Sequence, residues 1–150
     1  MSWESSLEYY RIINETVKDK LGGLHSAKII MYSVDFEEIE ILQHQDKWKE
    51  LVDRMINLAK NLEKSGADLV LICSNTMHKM AEQVQESINI PLLHIADATA
   101  EKIKRQGLKN VGLLGTKFTM EQDFYKDRLR KHGINVIIPS EEERQVVHAV

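Results

Sequence analysis

The residues best suited to chemistry in this chain follow directly after an apolar run. Leu69–Cys73 reads LVLIC, and it is followed by Ser74, Asn75 and Thr76, which carry two hydroxyls and an amide. In an open α/β sheet, ligands bind where a buried strand gives way to a helix. The unpaired N–H groups at the start of that helix favour an anion. This arrangement predicts a site where a side chain acts as nucleophile or base beside a bound carboxylate.

The same residues also fit the end of a strand that performs no chemistry. Cysteine is often simply buried, and Asn or Thr commonly caps the helix that follows a strand. Because side chains alternate along a strand, Cys73 and Ser74 lie on opposite sides, and only one of them can face a cleft. The residues alone leave both interpretations open.

Helix and strand patterns alternate along the rest of the chain. A capping box at Ser5-x-x-Glu8 begins the first predicted helix, and Gly22-Gly23 ends it. Strand patterns occupy residues 27–34, 69–73, 91–95, 110–114 and 135–138. Helical patterns, with Asp46, Asp97 and Ser140 as predicted caps, lie from 36 onward and at 46–65, 76–87, 97–107, 119–132 and 140–150. This alternation predicts βαβ units, and hence an α/β fold in which helices flank a mostly parallel sheet.

Length and composition exclude several classes of protein. The 150 residues suffice for one compact domain, or for one and a half small α/β lobes. A net charge of -3 predicts no nucleic-acid partner, and no apolar run approaches the roughly 20 residues that cross a bilayer. The single cysteine cannot form an internal disulfide, which suits a reducing compartment. We therefore expect a soluble, cytoplasmic protein that does not enter membranes.

Motifs for metals, for cofactors and for serine hydrolases do not match. Cys73, His78 and His94 lack a recognised zinc spacing, so His78 is expected to be a helix residue near the site. Gly112-x-x-Gly115-Thr116 is too short for a dinucleotide or phosphate loop. Ser74 lacks the Gly-x-Ser-x-Gly turn of hydrolases. We expect no metal and no cofactor.

Several segments, in order along all 150 residues, resemble the aspartate/glutamate racemase family. They read MSWES, LGGLHSAK, SVDF, CSNTMHK, PLLHIAD and GLLGT, at 1–5, 21–28, 33–36, 73–79, 91–97 and 112–116. The resemblance implies a cofactor-independent isomerase of amino-acid metabolism that racemises aspartate or glutamate. It also implies two similar α/β lobes with a cleft between them. Residues 1–97 would form the first lobe, without its opening strand, and 98–150 the start of the second, so that the chain resembles a family member truncated at both ends.

In the family, one acid/base residue from each lobe flanks the substrate α-carbon. Many members carry a cysteine directly before Asn-Thr, and this chain has Ser74 there, which the resemblance makes the first catalytic residue. A thiol has a pKa near about 8.5, whereas a hydroxyl is a far poorer base. Ser74 is therefore expected to donate or relay a proton better than it removes one. Cys73 is the only cysteine, and the second-lobe cysteine of the family would lie beyond Val150.

The resemblance also implies which residues bind the substrate. Asn75 and Thr76 would hold its carboxylate from the first lobe, Thr116 would do so from the second, and Gln43 would also reach it. A solvated loop glutamine and a turn at the start of a helix are the alternatives for Gln43 and Thr116. The expected ligand is a small acidic amino acid, and a homodimer is compatible with the sequence. The competing hypothesis is an inactive remnant that at most binds a small carboxylate.

Overall fold

A computed structural model of the chain describes residues 2–149. Within them, contacts separate two compact units: unit 1 combines Met1–Ser74 with Glu82–Leu92, and unit 2 combines Asn75–Ala81 with Leu93–Val150. The predicted lobe boundary at residue 97 stays a prediction. The helices are α1 Trp3–Leu21, α2 Phe36–His44, α3 Trp48–Lys64, α4 Ala81–Glu86, α5 Ile95–Arg105, α6 Lys117–Glu121, α7 Asp123–Lys131 and α8 Glu141–Ala149. The strands are β1 Val70–Leu71, β2 Leu92–Leu93, β3 Asn110–Gly112 and β4 Asn135–Ile137, and a 3₁₀ turn spans Thr76–Met80.

Unit 1 contains the first three helices, β1 and most of α4. Ser2, not Ser5, caps α1: its side chain accepts a hydrogen bond from the Ser5 amide at 3.3 Å, so the helix begins earlier than predicted. The predicted stop is confirmed, because Gly22 ends α1 with φ at 77°, a conformation that side chains with a Cβ rarely adopt.

The core of unit 1 forms where α2 packs on α3. Along α3, the apolar residues Leu51, Met55 and Ala59 recur at helical spacing and are buried. Ile39 from α2 is fully buried as well, and Glu38 of α2 forms an ion pair with Arg54 of α3 at 2.7 Å. Burying apolar side chains at helical spacing is what holds such a helix pair together.

The strand predicted at 27–34 does not form, so this prediction is wrong. The segment AKIIMYSV has no regular secondary structure, and Ile30, Met31 and Tyr32 are each about half exposed. Its first amide is anchored, because the Ala27 N–H donates to the Asn14 side chain at 2.9 Å. A strand needs a neighbouring strand to pair its N–H and C=O groups, and β propensity alone does not supply one.

Unit 2 is built on two parallel strands and the helices beside them. β3 pairs with β4 in the register Asn110↔Asn135, Val111↔Val136 and Gly112↔Ile137. One face of this pair joins a core contributed by α5, α7 and the chain before β4, which consists of Ala96, Ala100, Tyr125, Leu129 and Ile134. β1 and β2 form a separate two-stranded sheet. The predicted α/β class with short parallel strands is confirmed.

Some helix boundaries differ from the predictions for local reasons. Asp46 does not cap α3, because its carboxylate accepts from the Trp48 indole N–H instead. The helix predicted at 119–132 is interrupted at Gln122, whose backbone is extended with ψ at 154°. The Ser140 cap is confirmed: Ser140 and Glu143 form a reciprocal capping box. Within residues 2–149, no helix is both long and apolar enough to cross a membrane.

Candidate active site

Ser74 lies in unit 1, just past the end of β1. Its side chain is half-buried, and its amide donates to the Ile72 carbonyl at 2.9 Å. The sharp bend between Ile72 and Ser74 ends the strand before the 3₁₀ turn begins. The residue therefore occupies the strand end that the sequence predicts.

Cys73 is half-buried beside it and is not an activated base. Burial raises the pKa of the Cys73 thiol, and a hydrogen bond with Ser6 acts in the opposite direction. Because the reactive form of cysteine is the thiolate, a raised pKa keeps this side chain protonated near neutral pH. The choice between Ser74 and Cys73 as the reacting group stays a prediction.

Three threonine hydroxyls meet in unit 2. Thr76 Oγ1 lies 3.0 Å from Thr116 Oγ1, which in turn lies 3.1 Å from Thr119 Oγ1. Each hydroxyl can donate one hydrogen bond. Because only two contacts join three hydroxyls, one O–H hydrogen remains for another acceptor, such as a carboxylate oxygen. The structure thus brings together Thr76 and Thr116, two of the residues that the resemblance implies for carboxylate binding.

The side chain of Thr116 caps a helix, whereas the side chain of Asn75 does not cap the turn that follows it. The Thr116 hydroxyl accepts a hydrogen bond from the Thr119 amide at 3.3 Å and caps α6, so the structural alternative for this residue is part of its role. Asn75 precedes the 3₁₀ turn, is exposed, and makes no capping hydrogen bond with its side chain in the described chain. Capping therefore does not explain why asparagine stands there.

Gln43 lies in the last turn of α2, in unit 1, and is only 8% exposed. The alternative of a solvated loop glutamine is therefore wrong.

The predicted long helix after Asn75 is wrong in part, since Thr76–Met80 is a 3₁₀ turn that precedes the short helix α4. The turn carries a smaller dipole than a long helix would, so side-chain donors matter more for binding an anion.

Sequence reasoning missed the role of two histidines in unit 2. His94, rather than the predicted Asp97, caps α5: its Nδ1 accepts from the Ala96 amide at 3.1 Å. His78 Nε2 accepts from the Ile95 amide at 3.2 Å, and the two rings lie 4.5 Å apart. A histidine immediately before an apolar helical pattern is the signal that could have indicated this cap. Within residues 2–149, no three His, Cys, Asp or Glu side chains are grouped to hold a metal.

Ser74 thus follows β1 in unit 1, and the hydroxyl cluster lies at the start of the 3₁₀ turn and of α6 in unit 2. The family model described as Asp/Glu/Hydantoin racemase matches residues 1–150. The structure of a candidate Asp/Glu racemase from Yersinia pestis is similar to the chain, with 54% sequence identity and a TM-score of 0.92. The structure of PH1733, an aspartate racemase homologue from Pyrococcus horikoshii OT3, is similar as well, with 36% sequence identity and a TM-score of 0.85. The chain belongs to the Asp/Glu/hydantoin racemase family.

The chain matches only part of each relative. It is 31% identical over 96 residues to the broad specificity amino-acid racemase RacX of Bacillus subtilis (strain 168), covering 64% of this chain and 40% of RacX. The two structures are matched over 98% and 99% of this chain, but over 64% and 65% of their own lengths.

Proposed function

We propose that the protein takes part in amino-acid racemisation, interconverting the L and D forms of aspartate or glutamate by cofactor-independent proton transfer at the α-carbon. Membership of the family supports an isomerase. The observation that carries the proposal is the contact between the Thr76 and Thr116 hydroxyls at 3.0 Å, which offers an O–H donor to a carboxylate. The two residues lie 40 positions apart in the sequence, so a local turn does not explain their contact.

In this proposal, the α-carboxylate binds at the hydroxyl cluster and at Asn75. Carboxylate oxygens accept hydrogen bonds only, so they need O–H and N–H donors. The exposed Asn75 amide supplies such donors from the turn, and Thr116 supplies one from the start of α6. Gln43, buried in unit 1, is proposed to bind a further polar group of the substrate.

Ser74 is the proposed acid/base at the α-carbon. Its hydroxyl is directly followed along the chain by the carboxylate-binding Asn75 and Thr76. A hydroxyl is a weak base, so we propose that Ser74 delivers or relays a proton to one face of the α-carbon more readily than it removes one. A second base on the opposite face, as in the two-residue arrangement that the resemblance implies, would remove the departing α-proton. Exchange at the α-carbon should therefore be faster for one enantiomer than for the other.

A second candidate function is carboxylate binding without catalysis. Two observations favour it: the hydroxyl of Ser74 is a weak base, and burial raises the pKa of the Cys73 thiol, which lowers its thiolate fraction at neutral pH. The chain also covers 40% of the length of RacX. That this chain carries out the complete reaction is therefore part of the proposal.

Incubating the purified protein with L- and D-aspartate and with L- and D-glutamate in deuterated water separates the candidates. Deuterium at the α-carbon, detected by proton NMR, supports the racemase, and chiral chromatography shows whether the opposite enantiomer forms. Binding by calorimetry without any exchange supports the second candidate. If neither amino acid binds or exchanges, both candidates are wrong.

A further inference from the structure

The first turn of α5 is capped by two histidines instead of by the usual hydroxyl or carboxylate. The Ile95 amide donates to His78 Nε2 at 3.2 Å, and the Ala96 amide donates to His94 Nδ1 at 3.1 Å. The Asp97 amide donates to the His94 carbonyl at 3.0 Å. Three of the four N–H groups that a helix start leaves without intrahelical partners are thus satisfied. His94 belongs to the chain just before α5, but His78 comes from the 3₁₀ turn.

Both imidazoles must be neutral to accept these hydrogen bonds. A neutral imidazole has one donor and one acceptor nitrogen, whereas the protonated ring has two donors. The geometry therefore assigns the ring proton to Nδ1 in His78 and to Nε2 in His94. His78 is 3% exposed, and burial disfavours the charged form of a histidine.

Burial and the charges around His94 also keep its ring neutral. The pKa of His94 is lowered to about 4, chiefly by burial and then by the neighbouring His78 and by Arg128 of α7, while Asp97 acts in the opposite direction. Lys79 is the cation next to His78 on the turn. The positive end of the α5 dipole disfavours a cation at the same place.

We propose that His78 is a positioning residue, whose neutral imidazole ties the turn carrying Asn75 and Thr76 to the first turn of α5. The role of Asn75 and Thr76 in holding a carboxylate rests on the proposed function, but the histidine cap does not. The turn spans five residues and is held by the burial of Met77 and Met80, and the hydrogen bond to His78 adds a fixed link from the turn to the α5 backbone. Loss of the anchor should loosen the two binding residues without removing any group that touches the substrate.

Nitrogen NMR of the imidazole rings tests the cap without any substrate. We expect the Nδ1–H tautomer for His78 and the Nε2–H tautomer for His94 at pH 7, and a slowly exchanging Ile95 amide. The opposite tautomer at His78, or a charged ring, would overturn the proposal. This measurement is independent of whether the protein binds an amino acid.

Two variants then test positioning through affinity for L-aspartate and L-glutamate. His78→Gln keeps an acceptor near the position of Nε2, and His78→Leu removes it at similar volume. We expect His78→Gln to bind within about threefold of the original protein and His78→Leu at least about tenfold more weakly, by the loss of a buried hydrogen bond. His25→Leu, at an exposed histidine of unit 1, is the control and should bind unchanged.

The outcomes separate the proposed function from the proposed positioning role of His78. If the original protein binds neither amino acid while the tautomers are as assigned, the proposed function fails and the histidine cap stands. If folded His78→Leu binds as tightly as the original protein, positioning by His78 is refuted. If His78→Leu does not fold, the glutamine variant decides: retained affinity supports the proposal, and a tenfold loss in a folded protein overturns it.

Discussion

Replacing Asp97 or Arg128 should destabilise unit 2 by an amount that the geometry sets. Asp97 on α5 receives two hydrogen bonds from the Arg128 guanidinium of α7, both at 2.7 Å, and lies 2.8 Å from His132 Nε2. The hydrogen bonds from Arg128 are the main reason that the pKa of the Asp97 carboxyl lies far below its usual range. This two-pronged pair ties together the helices that form the core of the unit.

The magnitude follows from exposure. The side chains of Asp97 and Arg128 are 34% and 32% exposed, so solvent screens the pair only in part. Two charges about 4 Å apart attract by about 4 kcal/mol at the effective dielectric near a protein surface, before desolvation and side-chain entropy are subtracted. The net coupling should be about 1–2 kcal/mol. Asp127 and Arg130 share the 2.7 Å distance but are 56% and 51% exposed, so their coupling should stay below about 0.5 kcal/mol.

A double-mutant cycle measures both couplings. Urea unfolding of Asp97→Asn, Arg128→Met and the double variant gives the first, and Asp127→Asn, Arg130→Met and their combination give the matched control. Because the folded-state pKa of Asp97 is lowered, its contribution is complete above the unfolded pKa of about 3.9 and is lost as the pH falls through the folded value. Equal couplings for the two pairs, or none for Asp97 and Arg128, would refute the reasoning.

Four further outcomes are expected. The pKa of His94 is lowered to about 4 in the folded protein and is about 6.5 in the unfolded chain. The free energy of unfolding should therefore decrease by about 1–2 kcal/mol from pH 7 to pH 4, allowing for partial exposure. A His94→Gln variant with the same pH dependence in urea unfolding would contradict this. Gly22→Ala should reduce the free energy of unfolding by about 1–2 kcal/mol, because φ is 77° there, and the melting temperature should fall accordingly. Gly112→Ala has the same open space around its Cβ but no positive φ, so it should cost less than half as much; equal shifts would argue against strain. The Cys73 thiol should react with iodoacetamide about tenfold more slowly than a free thiol until urea exposes it, and a faster reaction would mean that its pKa is not raised. Thr116→Val should weaken aspartate or glutamate binding about tenfold while Thr116→Ser retains it, and equal calorimetric affinities would remove Thr116 from the site.

Local signals in the sequence predict some of the helix ends. Gly22 stops α1 and Ser140 caps α8 as expected, because both effects depend on the backbone and on neighbours within a few residues. The alternation of helices and strands was enough to predict the α/β class. These features need no knowledge of distant partners.

The rest depends on partners far along the chain. Asp97 was predicted as a cap, but Arg128 and His132 engage its carboxylate, and His94 caps the helix in its place. The apolar run at 27–34 has strand propensity without a strand beside it. No local pattern predicts either outcome, because pairing and ion-pair formation are decided by which elements pack together.

The candidate site, too, was predicted only in part from the sequence. The resemblance named Ser74, Asn75, Thr76, Thr116 and Gln43 from motifs alone. The contact between Thr76 and Thr116 could not be inferred from spacing, since it joins the 3₁₀ turn to the start of α6. The anchoring of that turn by His78 was missed for the same reason.

The account centres on the side chain of residue 74 as the group that moves a proton at the α-carbon. The most direct test follows deuterium incorporation into separate L and D enantiomers of aspartate and glutamate by the original protein, Ser74→Ala and Ser74→Cys, with Ser87→Ala as control. We predict exchange that Ser74→Ala abolishes, that Ser74→Cys accelerates because a thiolate is the stronger base at neutral pH, and that Ser87→Ala leaves unchanged. Exchange by Ser74→Ala at the rate of the original protein would contradict the account.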